Sequence, residues 1–257
     1  MADLPLFLSL TAVMGLSILL SLPLVYSPRA QGRWAVALSA AAIGILLFLL
    51  ADVFSDAAQI IYPAGYVANP RYAVAFAVAF GVAFLGLHAV DSLPRRAGRE
   101  TAGAGALRMA TIVAIGIGLQ NLTEGLVFGV NWTLGNVGVL AVVFLGFVLQ
   151  NITEGFPIAA PFLGAPGARR ADRLVGLYLL GGLPTIVGGL LGYVWSSDLF
   201  LVIFDAAAVG AIAYIVLPML RFAFRPLEDR AASVRRDRIV YLGVVVGFLI
   251  GFAVNAL

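Results

Sequence analysis

The sequence predicts an all-α polytopic membrane protein, a bundle of eight transmembrane helices forming one domain over residues 1–257. Two observations predict it. The chain is 62% hydrophobic but only 11% charged, whereas soluble domains average about 25% charged residues. So little charge does not cover the surface of a water-soluble fold of this size. The apolar residues also fall in runs of about twenty or more, the length of a bilayer-spanning helix. A transmembrane β-barrel would show short segments of alternating polarity, and the sequence has none.

Dividing the apolar runs at charged, Gly-rich or Pro-rich connections predicts spans at 4–26, 33–56, 72–92, 106–130, 137–162, 172–195, 198–222 and 237–257. The first stretch, Leu4 to Val25, follows a lone Asp3 and no basic segment. It is too long for a signal-peptide core and has no A-x-A cleavage site, so it reads as the first span. The connections leave no room for a second domain. The third, Leu93 to Gly105, is rich in Arg, Gly and Ala and reads as flexible. The seventh, Phe224 to Arg236, mixes acids with arginines and reads as a short surface helix. Trp34, Trp132 and Trp195 near span ends read as interface anchors.

All 16 basic residues are arginine, and only Arg71 falls on an even-numbered connection. The positive-inside rule then makes the odd connections cytoplasmic and puts both termini outside, in a multi-pass protein of the plasma or inner cell membrane. Topology accounts for the net charge of +3, so the lipid bilayer is the expected partner and nucleic acid is not. The absence of cysteine excludes disulfides and thiolate metal ligands. Glycines recur at four-residue spacing: Gly125 with Gly129, Gly188 with Gly192, and Gly243, Gly247 and Gly251. Such stripes let helices approach closely in lipid. They also leave a subunit contact open, and a homodimer is carried as an expectation.

The chemistry concentrates in a repeat. Span four holds Gln120-Asn121-Leu122-Thr123-Glu124-Gly125, and span five holds Gln150-Asn151-Ile152-Thr153-Glu154-Gly155. In a helix the first and fifth positions lie one above the other, with the asparagine about 100° around. Both motifs begin near the middle of their spans, where a lone carboxylate costs roughly 2.5–3.5 kcal/mol on insertion scales. No arginine lies in a span interior to neutralise Glu124 or Glu154. Protonated acids and amides that merely glue two helices would also place polar groups here. Three polar positions per helix, repeated in order, exceed what glue needs. Gln120, Asn121, Glu124, Gln150, Asn151 and Glu154 are therefore the candidate metal ligands.

These residues resemble the ZIP family of divalent metal transporters, whose fourth and fifth helices bear a His-Asn-x-Pro-Glu-Gly motif, with Gln replacing His on the fifth in the GufA-like branch. Here both first positions are Gln and both prolines are Thr. Gly181-Gly182-Leu183-Pro184-Thr185 is similar to the family's sixth helix, with Thr185 at its usual glutamate. The run from Asp205 to Leu217 is similar to the seventh, with Pro218 where an acid often follows. The resemblance implies an eight-helix bundle of ZIP type with both termini outside. It also implies transmembrane transport of zinc, iron or manganese as substrate, without an organic cofactor. The missing histidines and glutamate leave harder ligands, which suit manganese, magnesium or calcium at least as well. They also keep open a degenerate relative that binds or senses metal without transporting it.

Asp52 and Asp56 in span two and Asp205 in span seven are candidate entrance acids that would concentrate cations; interfacial acids facing water are the plainer alternative. His88, the sole histidine, lies beside Asp91 and reads either as an exit ligand or proton acceptor or as a structural residue. There is no nucleotide-binding loop, so ATP hydrolysis by this chain is excluded as the driver. No G-x-S-x-G motif supports a serine hydrolase, Asp52 with Asp205 is a thin case for an aspartyl enzyme, and the chain is not expected to be an enzyme.

Overall fold

The computed structural model describes residues 4–27, 32–63, 68–92, 102–135, 137–163, 171–195, 197–224 and 229–256. Their regular structure is helical: α1 (Leu4–Leu16), a 3-10 turn (Ser17–Ser21), α2 (Pro23–Tyr26), α3 (Arg33–Ile61), α4 (Pro70–Ser92), α5 (Ala102–Leu134), α6 (Val137–Leu163), α7 (Ala171–Gly182), α8 (Pro184–Val194), α9 (Asp198–Ala223) and α10 (Arg230–Asn255). Among the described residues there are eight helical runs long and apolar enough to cross a membrane. They coincide with the eight expected spans, α1 with its 3-10 turn forming the first and α7 with α8 the sixth.

Two spans are interrupted, and proline explains both. Pro23 has no N–H to return to Leu19, whose carbonyl instead accepts from Leu22 N at 3.0 Å, closing the tighter 3-10 turn. Pro184 cannot bond back to Leu180, so the sixth span breaks at Leu183 and restarts as α8 with the proline in its first turn. At the α5–α6 link, Gly135 adopts φ +72°, the left-handed region that glycine tolerates best.

Two differences from expectation concern connections. Residues 230–236 are not a separate surface helix but the first turns of α10, because the Asp229 carboxylate caps the N–H groups of Ala231 (2.9 Å) and Ala232 (3.2 Å). α5 likewise begins at Ala102, inside the connection expected to be flexible; residues 93–101 lie outside the described residues.

The helices sort into two groups. α10 packs along α3, α4 along α9, and α3 against α9; in the second group α5 runs beside α8 and α6 lies on the 3-10 turn. The groups meet where α5 packs on α9 and α3 on α6. Ile43 and Leu46 of α3, Val113 and Ile117 of α5, and Ile212 and Ile215 of α9 share one buried cluster.

Small residues face inward on α10 and large aliphatic ones outward, the reverse of a soluble helix. On α10, Gly243, Gly247 and Gly251 are buried while Leu242, Val245, Val246 and Leu249 are exposed. A methyl group on Gly247 would overlap the Ala41 backbone carbonyl, and one on Gly251 would lie 2.7 Å from the Phe48 ring. Close helix contact replaces hydrophobic exclusion as the cohesive force in lipid. This stripe is spent on α3, so a subunit contact would need another surface. Trp34 and Trp195 are exposed at their helix ends, as anchors should be. Trp132 differs: it packs on Phe7 (5.5 Å between centroids) and Phe128 (6.0 Å) inside the bundle.

Candidate metal centre

α5 and α6 are separated by only two residues, so they run antiparallel and bring their motifs side by side. Gln120, Asn121, Glu124, Gln150, Asn151 and Glu154 are all buried. The Gln120 amide nitrogen donates to Glu124 Oε1 at 3.2 Å and to Glu154 Oε1 at 3.0 Å, bridging the two carboxylates. Asn151 Nδ2 donates to Glu124 Oε2 at 3.2 Å and to the Phe147 carbonyl at 3.0 Å. Four predicted residues thus form one hydrogen-bonded cluster across the two helices.

The other two behave differently. Asn121 Nδ2 donates to the Gly181 carbonyl at 3.0 Å, an oxygen beside the break between α7 and α8. Gln150 is buried but makes no hydrogen bond to either glutamate among the described residues. Thr123 and Thr153 turn back onto their own helix, donating to the carbonyls of Leu119 (3.3 Å) and Gln150 (2.7 Å). The motif glycines have a separate task. A Cβ on Gly125 would overlap the Thr185 carbonyl oxygen, and one on Gly155 would overlap Ser21 Oγ and lie 2.8 Å from the Tyr178 ring. Gly125 therefore admits α8, and Gly155 admits the 3-10 turn.

The electrostatics of this cluster are one-sided. Among the described residues no arginine pairs with Glu124 or Glu154. Five buried oxygens lack any hydrogen-bond partner: Gln120 Oε1, Asn121 Oδ1, Asn151 Oδ1, Glu154 Oε2 and Thr185 Oγ1. An unpaired buried polar atom ordinarily costs about 1–3 kcal/mol. Partnerless amide oxygens on the residues that carry or hold the two carboxylates are chemically suited to a cation. Among the described residues no three His, Cys, Asp or Glu side chains converge as a metal site, so any ion held here would need the amide oxygens as well as the carboxylates.

Thr185 was legible in the sequence only as a departure from glutamate. Its role as a fully buried, unpartnered hydroxyl at the start of α8 emerges from the fold. The Gly-Gly-Leu-Pro run is the signal that could have found it. Helices broken within the membrane commonly line binding sites.

None of the candidate entrance acids hydrogen-bonds to this cluster among the described residues. Asp52 is half-buried and accepts from Asn255 Nδ2 at 2.9 Å; Asp56 is exposed and accepts from Gln59 Nε2 at 3.5 Å. Asp205 is only 3% exposed and receives no hydrogen bond among the described residues. His88 is exposed, with its ring 6.0 Å from that of Tyr214. Asp91 beside it is engaged elsewhere, paired with Arg108 and accepting from Tyr214 Oη at 2.6 Å.

No protein-family model matches the chain, and no curated protein matches it.

Proposed function

We propose that this protein moves a divalent metal cation across a cell membrane through the centre between α5 and α6, as a transporter of ZIP type in its GufA-like branch. One observation carries the reading: the amide oxygens of Gln120, Asn121 and Asn151 and one oxygen of Glu154 have no partner, and neither Glu124 nor Glu154 has a basic neighbour among the described residues. The amide-to-carboxylate hydrogen bonds join the two helices, yet they leave these oxygens unsatisfied, which structural glue alone does not require. Zinc, iron and manganese are the substrates that the resemblance implies. The presence of only two acids in the centre favours a second reading, metal binding or sensing without transport, which a flux measurement separates from the first.

The test is metal binding by the purified protein as a function of pH. Glu124 and Glu154 coordinate only as carboxylates, so protons compete with the ion and binding releases protons. Affinity should fall as pH is lowered, and calorimetry in buffers of different ionisation enthalpy should register proton release. Affinity that stays flat from neutral to mildly acidic pH would remove both glutamates from the coordination sphere.

The arginine distribution supports an orientation with both termini outside. Cysteines placed at Arg99 and Arg230 should be shielded from an impermeant thiol reagent in intact cells and react after permeabilisation. Labelling of either from outside would invert the orientation.

A further inference from the structure

We infer that the centre is built for a hard, oxygen-seeking divalent cation of the manganese or calcium class and lacks the usual advantage of zinc. This rests on the reading of the α5–α6 cluster as a divalent-cation site and adds the class of ion.

The donor chemistry carries it. Every candidate donor in the hydrogen-bonded cluster and beside it is oxygen: carboxylates at Glu124 and Glu154 and amide oxygens at Gln120, Asn121 and Asn151. The chain has no cysteine and one histidine, and that histidine, His88, is exposed beside Tyr214 rather than in the cluster. Thiolate and imidazole are the ligands that most favour zinc, whereas carboxylate and carbonyl oxygens suit manganese and calcium.

Donor number points the same way. Zinc sites are usually closed by about four ligands, while calcium takes about six to eight oxygens in flexible geometry. The partnerless oxygens of Gln120, Asn121, Asn151 and Glu154 belong to four side chains besides Glu124, which adds its own carboxylate. Magnesium fits poorly, because it dehydrates reluctantly and keeps several waters. Gln120, Asn121, Asn151, Glu154 and Thr185 are all 0% exposed, which leaves little access for a hydration shell.

Gln120 is the residue on which selectivity turns. Its Nε2 occupies the position between the two carboxylates while Oε1 has no partner. An ion entering there displaces the N–H donor, and rotation of the amide presents Oε1 to it. Histidine at this position would present a ring nitrogen instead.

The test is competition among manganese, calcium and zinc for the full-length purified protein, with manganese followed by electron paramagnetic resonance. Zinc is expected to bind within about tenfold of manganese, with calcium competing measurably. Gln120→His should raise the zinc-to-manganese ratio at least about tenfold. Wild-type zinc binding more than about a hundredfold tighter than manganese would overturn the inference while leaving the metal-site reading intact, as would an unchanged ratio in a folded Gln120→His protein. Failure of all three ions to bind the wild type would overturn the reading itself, and this inference with it.

Discussion

Replacing Gly125 with valine should lower the stability of the bundle by about 1–3 kcal/mol or more and abolish metal binding. The position one residue after Glu124 lies against α8 so closely that even a Cβ would overlap the Thr185 carbonyl oxygen and lie 2.8 Å from Gly189 N. Both obstacles are backbone, so no side-chain rotation relieves them. From the other side, a Cβ on Gly188 would overlap the Leu122 carbonyl, leaving no slack in the α5–α8 contact. The helices must separate, which moves the Gly181 carbonyl away from Asn121 and disturbs the turn that carries Glu124. Gly146 on α6 is the control, since a Cβ there meets nothing within 4 Å. Thermal unfolding in detergent should show a large drop for Gly125→Val and little change for Gly146→Ala. Equal unfolding temperatures would mean that the two helices do not pack as described.

The second large effect concerns the acids, and here affinity and stability should move apart. Glu124→Gln and Glu154→Gln each preserve side-chain volume while removing a charge from the centre. Even partners outside the coordination shell alter metal affinity about 10–100-fold, so losing a charged ligand should cost at least about 100-fold. Without metal, the same variants should be as stable as wild type or more so, because a buried charge lacking a basic partner is a burden on the fold. If the glutamates were structural glue, stability would fall and metal affinity would not depend on them. Titration calorimetry together with thermal unfolding of the metal-free proteins distinguishes the two patterns.

Much of this arrangement is legible in the sequence because lipid imposes simple rules. Runs of apolar residues locate the eight spans, and the repeat of Gln-Asn-x-Thr-Glu-Gly identifies the polar centre. The asymmetry of that centre is not legible. The motifs match at five of six positions, yet Gln120 bridges both carboxylates while Gln150 touches neither. The difference lies in the neighbours: α5 faces the broken α7–α8 span, and α6 faces the 3-10 turn. Thr185 was hidden for the same reason. An unpartnered hydroxyl depends on what packs around it, which residue spacing does not encode. Trp132 shows the same limit, since span-end position suggested an anchor and the aromatic cluster with Phe7 and Phe128 drew it inward.

The most direct test of the central claim is metal flux into liposomes reconstituted with the purified protein. Manganese and zinc uptake should exceed that of protein-free vesicles for the wild type. In the Glu124→Gln/Glu154→Gln double variant, reconstituted in equal amount and shown to be folded, uptake should fall to the protein-free level. Equal uptake by wild type and double variant would contradict a metal path through the α5–α6 centre.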